Sequence, residues 1–244
     1  MESWGVTDSG KVRQHNQDVF KMLLDEEQGT AILVVCDGMG GANAGNVASE
    51  LAANVFTDHI TEYIGNLKNL RGIARTMKEA VLAANTAVFD KGLYDVEFTG
   101  MGTTLTAAIS TPSGEVAASI GDSRLYHVTP GGIIQITKDH SVVEDMIDRG
   151  EISRSEARMH PRKNLITRAV GTSIYEPPDI FFLNLDSEDF ILLCSDGLSN
   201  VVTDNEILQE LQRGDTVRES CEALVELALQ RGAPDNVTAV IFKK

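Results

Sequence analysis

Short apolar runs and long amphipathic stretches follow one another in blocks along the 244-residue chain. Residues 18–24 and 30–36 read as two strands joined by the polar turn DEEQGT. Beyond the glycine-rich DGMGGANAG, Val47, Ala48, Leu51, Ala52, Val55, Phe56 and Ile60 recur at helical spacing. Ile73, Met77, Val81, Ala84 and Val88 then mark the apolar face of a second helix. Four strands are predicted at 103–110, 115–121, 124–129 and 132–137, punctuated by TPSGE and TPGG. Residues 141–172 are charged and weakly patterned, which suits short helices. Strands at 179–185 and 190–195 lead into helices at about 204–213 and 215–231, the first opened by the capping box Thr203-Asp204-Asn205-Glu206, and a strand at 236–242 closes the chain.

Strands in hairpin succession, with helices in adjacent pairs, give an α+β pattern in which helix pairs cover the outer faces of stacked sheets. The glycines after Asp37 lack the G-x-G-x-x-G spacing of a dinucleotide-binding turn. No linker, low-complexity tract or short repeat divides the chain, so a single domain over residues 1–244 is expected.

Two runs end alike, AILVVCDGMGG at 31–41 and FILLCSDGLSN at 190–200. Asp-Gly is a common hairpin turn, but a glycine loop and helix follow the first pair and a helix follows the second. A carboxylate at the end of a buried strand costs several kcal/mol unless it is paired or binds a cation. Asp18, Asp122 and Asp235 also fall at predicted strand ends. Five such aspartates, with histidine and cysteine sparse around them, suit Mg²⁺ or Mn²⁺, hard cations that take oxygen ligands. The D-x-[DN]-x-[DN]-G-x₅-E calcium loop does not occur.

The formal charge of −15 argues against nucleic acid or an anionic membrane as a partner. No apolar run nears the roughly 20 residues of a membrane span, and the first ten residues have no signal-peptide pattern. Three widely spaced cysteines imply neither a disulfide framework nor a zinc clip, so a cytoplasmic, reduced setting is expected.

Six motifs occur in order: Arg13-x-x-Asn16-Gln17-Asp18, Asp37-Gly38-Met39-Gly40-Gly41, Met101-Gly102-Thr103-Thr104, Gly121-Asp122-Ser123-Arg124, Ser195-Asp196-Gly197 and Asp235-Asn236-Val237-Thr238. Together they resemble the metal-dependent protein phosphatases, the type 2C serine/threonine phosphatases, and in particular their short bacterial members. The resemblance implies an α-β-β-α sandwich of two mainly antiparallel sheets, with a metal centre at one end. It implies that Asp37 bridges two ions, that Asp196 and Asp235 complete the first site, and that the Gly38 carbonyl binds the second, with Asp18 acting through water. Asp122, with Asp196, matches a third-ion position, and Arg13 matches the residue that binds the substrate phosphate. The implied reaction is attack of a metal-activated water on phosphoserine or phosphothreonine without a phosphoenzyme intermediate. Phosphorylated proteins, substrates of a serine/threonine kinase, are the implied partners, and a monomer is expected.

The chain departs from the resemblance at Ala42, where many bacterial members carry histidine. The stretch 141–172 resembles the flap beside the active site, and its 149–168 portion has six basic residues against two acidic ones. That excess would attract acidic phosphoproteins; a solvated helical surface explains it equally well. The Gly-Asp-Ser at 121–123 matches certain esterases, but no D-x-x-H follows. Lys138-Asp139-His140-Ser141 reads as a strand-end turn with a capping serine, because neighbours in sequence rarely converge as a triad. The rival function is a phosphatase-like module that binds partners without catalysis. Loss of Arg13 or of a metal aspartate would mark it, and none is lost.

Overall fold

In the computed structural model, which describes residues 1–40, 44–66 and 69–244, the apolar runs are strands buried on both faces. In β3 (Thr30–Met39), Ile32, Val34 and Cys36 pack towards helices α1 (Ala44–Tyr63) and α2 (Leu70–Tyr94). Ala31, Leu33 and Val35 point the other way, into a layer between two sheets. β11 (Val237–Lys243) divides in the same manner, with Ala239 and Ile241 against helices and Val240 and Phe242 in the middle layer. Each large side chain so enclosed contributes roughly 1.5–3 kcal/mol.

The first sheet has the order β2 (Asp18–Asp25), β3, β5 (Leu105–Thr111), β6 (Gly114–Ile120) and β9 (Asp179–Leu183), and the short β4 (Gly102–Thr103) pairs with the end of β3. The second has the order β1 (Glu2–Asp8), β11, β10 (Phe190–Cys194), β7 (Arg124–Thr129) and β8 (Gly132–Gln135). Every pairing among them is antiparallel, as hairpin connections require. Helices α6 (Asp204–Arg213) and α7 (Val217–Gln230) cover the second sheet with Ile207, Leu211, Cys221, Leu224 and Ala228. The result is the expected α-β-β-α sandwich.

Three details differ from the sequence expectation. Residues 2–8 form an edge strand on β11, in which only Trp4 and Val6 pack against the core. β3 runs through Asp37 and Gly38 to Met39, because β4 extends the pairing at Gly38 and Met39. Asp196 opens a one-turn helix, α5 (Asp196–Ser199), before α6 begins.

Residues 141–172 carry α3 (Val142–Asp148) and α4 (Arg154–Met159), capped by Ser141 and by the Ser153–Glu156 capping box. The segment is fastened at both ends. Thr103 and Val170 exchange backbone hydrogen bonds of 3.0 and 2.8 Å, and Thr167 N donates to the His140 carbonyl. No described helix is long and apolar enough to cross a membrane.

Candidate metal and phosphate site

The layer between the sheets is apolar along most of its length and turns polar at one end. The start of β2, the end of β3, the start of β5, the turn after β6, the end of β10 and the start of β11 all meet there. Asp37 follows Leu33 and Val35 on the inward face of β3, and Asp18 is its register partner across β2. Asp122 lies in the turn between β6 and β7. Asp196 follows β10, and Asp235 precedes β11, its antiparallel neighbour. Five aspartates spread over more than 200 positions therefore gather at one edge of the sandwich.

The glycines of the two Asp-Gly pairs serve close approach. A Cβ on Gly38 would collide with the Gly45 carbonyl, and one on Gly197 with the Asn236 carbonyl. Gly38 N also donates to the Gln17 carbonyl at 3.1 Å, which draws the loop before β2 onto β3.

Arg13, Asp37, Gly38, Asp122, Asp196 and Asp235 line one cleft of about 240 Å³, together with Thr104, Asn164, Ile166 and Asn236. Asp18 sits behind it, 5% exposed. Its Oδ2 accepts hydrogen bonds from Ser195 Oγ and Thr238 Oγ1, both 2.7 Å, and its Oδ1 is buried without a partner. Asp37 is held through its backbone: its N–H donates to Thr104 Oγ1 at 2.9 Å, and its carbonyl accepts from Thr104 N and Thr103 Oγ1. Asn236 fastens the loop that carries Arg13, accepting from Gln17 N and donating to the Ser9 and His15 carbonyls.

Charge is concentrated here against its own repulsion. Burial, then Asp18 and Asp196, push the Asp37 carboxyl well above its ordinary range. Burial and Asp196 do the same to Asp122. Asp18 is pushed up to about 7 by burial, although the Ser195 and Thr238 hydroxyls partly offset it. Asp196 is pushed up to about 6 by burial and Asp235, against the pull of Arg124, Asn200 and Lys163. Four carboxylates facing one guanidinium are an under-neutralised set, and the donors are all oxygen.

That set fits a hard divalent cation. Among the described residues, no three acidic, histidine or cysteine side chains are drawn into a tight ligand cluster. The fit rests instead on the four carboxylates of the lining, on the glycine that brings a backbone carbonyl to the cleft, and on the orphaned Asp18 Oδ1, a buried acceptor that needs a cation or a water.

Arg13 reaches the cleft but is not idle there. Its Nη2 donates to Asp235 Oδ2 at 2.8 Å, and that bond is the main cause of its raised pKa, with Asp37 and Asp196 adding to it. His140 does not face the cleft. Its Nδ1 accepts from Gly121 N at 3.0 Å, and its Nε2 lies 3.1 Å from Asp179 Oδ2 and 2.8 Å from Arg168 Nη1. It buttresses the turn that carries Asp122, while Asp139 pairs with Arg124 at 2.6 Å and Ser141 caps α3, so the three form no triad. Ala42 lies outside the described residues. The sequence assigned no role to Thr104, Ser195, Thr238 or Asn236, though each belongs to one of the six motifs.

Residues 9–239 match the family described as Protein phosphatase 2C. Serine/threonine phosphatase stp of Listeria monocytogenes is 35% identical over 98% of this chain and 94% of that protein. The crystal structure of the serine/threonine phosphatase Stp1 from Staphylococcus aureus superposes with a TM-score of 0.91 at 34% identity, covering 100% of this chain and 94% of that one. The catalytic domain of the serine threonine protein phosphatase PstP, solved in complex with two manganese ions, superposes with a TM-score of 0.84 at 36% identity, covering 98% of this chain and 96% of that one.

Proposed function

The chain belongs to the protein phosphatase 2C family, and we propose that it removes phosphate from phosphoserine and phosphothreonine in proteins at a binuclear Mg²⁺ or Mn²⁺ centre with a third-ion position. The catalytic unit is a single domain over residues 1–244, with a flap at about 141–172. One observation carries this reading: the apolar layer between the sheets ends in a carboxylate-rich cleft where Asp37, Asp122, Asp196 and Asp235 face Arg13.

Asp37, Asp196 and Asp235 would hold the first ion, Asp37 with the Gly38 carbonyl the second, and Asp122 with Asp196 the third, with Asp18 acting through water. Bound there, the ions supply Lewis-acid charge and activate water for attack on phosphorus. The chain does the rest with fixed charges. Arg13 offers a planar fork to two phosphoryl oxygens and balances the charge that grows on them as the bond to the leaving oxygen breaks. Its bond to Asp235 holds the guanidinium at the cleft's edge. Asp18, gripped by Ser195 and Thr238, presents its free Oδ1 in a fixed direction. Among the described residues lining the cleft there is no serine, cysteine or histidine, which fits direct hydrolysis without a phosphoenzyme. The hydroxyl that is present, on Thr104, is committed to Asp37 N and Ser123 Oγ.

Phosphate release from p-nitrophenyl phosphate and from a phosphothreonine peptide, each with Mn²⁺ and with EDTA, tests the reading. Turnover of both substrates that EDTA abolishes is expected. No turnover at all would make the chain a phosphatase-like binding module, and turnover indifferent to EDTA would refute the metal chemistry.

A further inference from the structure

His140, in the turn Lys138-Asp139-His140-Ser141, commits every polar group it has. Its N–H donates to the Gly121 carbonyl at 2.9 Å, and its Nδ1 accepts from Gly121 N at 3.0 Å, so one residue takes both backbone groups of Gly121. Its own carbonyl accepts from Thr167 N at 2.8 Å, and its Nε2 lies 3.1 Å from Asp179 Oδ2. Gly121 is the residue before Asp122.

An imidazole nitrogen accepts a hydrogen bond only when it carries no proton. The bond from Gly121 N therefore places the ring's proton on Nε2, where the Asp179 carboxylate receives it. Arg168 Nη1 also stands 2.8 Å from Nε2, but both are donors, and the arginine's bond is the one to Asp179 Oδ1 at 3.0 Å. Arg168 Nε pairs with Glu176 at 2.7 Å, which holds the arginine in turn. On its other side Gly121 packs against Thr104, where a Cβ would stand 2.5 Å from Thr104 Cγ2. Ser123, the residue after Asp122, bonds to Thr104 Oγ1 at 2.7 Å, and its carbonyl accepts from Thr106 Oγ1 at 2.8 Å. Asp122 thus stands between two fixed residues. Among the described residues its carboxylate receives a hydrogen bond from its own N–H and from no other side chain.

We infer that His140 is a positioning residue for the third-ion position: its unprotonated Nδ1, kept so by Asp179, fixes the Gly121 amide and through it the direction of the Asp122 carboxylate. The inference rests on the third-ion assignment in the reading above. Asp37 and Asp196 do not depend on this bond, since each follows a strand of its own, so the effect falls on Asp122 alone. A supporting group of this kind is worth about 10- to 100-fold in metal affinity.

The test sets two amides against each other. His140→Asn puts an acceptor oxygen where Nδ1 stood and keeps the bond to Gly121; His140→Gln carries its amide out to the Nε2 position and loses that bond. Calorimetric titration with Mn²⁺ and hydrogen exchange at the Gly121 amide of the metal-free protein are the two measurements. His140→Gln should weaken the weakest ion by about 10- to 100-fold, leave the tight pair unchanged and deprotect the Gly121 amide. His140→Asn should restore most of the affinity and the protection. If His140→Gln does not fold, Asp179→Ala, at a half-exposed side chain, carries the comparison: without the carboxylate the ring has no fixed tautomer, and the weakest ion should again be the one that suffers. A lower Tm in His140→Gln with the weakest ion unchanged would make the residue a stabiliser of the fold only and overturn the inference. Equal weakening in His140→Asn and His140→Gln would overturn it as well, as would loss of the tight pair. If the wild type binds two ions and no third, the inference falls with the third-ion assignment, while turnover that EDTA abolishes would leave the phosphatase reading standing.

Discussion

Stripping metal with a chelator and raising the pH from about 5 to about 8 should destabilise the protein, and Asp18 sets a scale for the loss. Its carboxyl ordinarily titrates near 3.8, but burial holds the proton in the folded protein up to about 7. The unfolded chain releases that proton near 3.8, so the stability it contributes is complete below that pH and is lost as pH rises through about 7. The full separation corresponds to about 4 kcal/mol, of which somewhat more than half falls between pH 5 and 8. For a chain of this length that is a fall of roughly 5–10 °C in Tm. Asp37, Asp122 and Asp196 are also held above their ordinary range and act in the same sense. His140 opposes them: burial lowers its pKa below 6.5, so its contribution is present at neutral pH and is lost as pH falls through the folded value.

The variant Asp18→Asn isolates the one group. Its amide oxygen still accepts from Ser195 and Thr238, and nothing titrates at that position. Thermal denaturation followed by circular dichroism in chelator, across pH 5 to 8, should show a flatter profile for Asp18→Asn than for wild type by roughly 2–3 kcal/mol. Added Mn²⁺ should stabilise the wild type increasingly as pH rises, since ions bind deprotonated carboxylates. Parallel profiles for the two proteins in chelator would refute the burial argument for Asp18.

Three further outcomes are expected. Asp196→Ala and Asp235→Ala should each abolish Mn²⁺-dependent turnover, whereas near-normal rates for Asp196→Ala at saturating Mn²⁺ would remove it from the first ion. Asp122→Ala should lose only the weakest ion by calorimetry, and loss of the tight pair would reject the third-ion assignment. Thr238→Val leaves Asp18 Oδ2 with one hydroxyl in place of two and should cost about 1–3 kcal/mol in urea denaturation, with Thr238→Ser restoring most of it; an unchanged midpoint in Thr238→Val would show that the bond contributes nothing.

Legibility in the sequence followed burial. β3 and β10 were plain because both of their faces are covered, so every position from Ala31 to Cys36 and from Ile191 to Cys194 is apolar. The helices α1 and α2 were plain for the complementary reason, a single buried stripe at helical period. β1 was missed because it is an edge strand, with Trp4 and Val6 on the core, Gly5 between them and polar residues on either side. The candidate aspartates could be found because each falls at the end of a predicted strand. Their supports could not. Asp18 depends on Ser195 and Thr238, which lie 177 and 220 positions away, and Arg13 meets Asp235 across 222 positions. A lone threonine or serine next to a strand has no pattern to break.

The repeated Asp-Gly pair shows where the division falls. In both copies the aspartate is legible, since a carboxylate following a buried strand calls for a counter-charge. The glycine is legible only as a residue without a side chain, for which a turn would be reason enough. In the fold, no hairpin follows either pair, and each glycine instead admits a backbone from elsewhere, Gly45 at Gly38 and Asn236 at Gly197. Those two approaches bring the start of α1 against β3 and the start of β11 against α5, which closes the walls on which Asp37, Asp196 and Asp235 stand. An alanine at either glycine would therefore spread the carboxylates without touching one of them, and the chain carries glycine at both for a reason that belongs to tertiary packing.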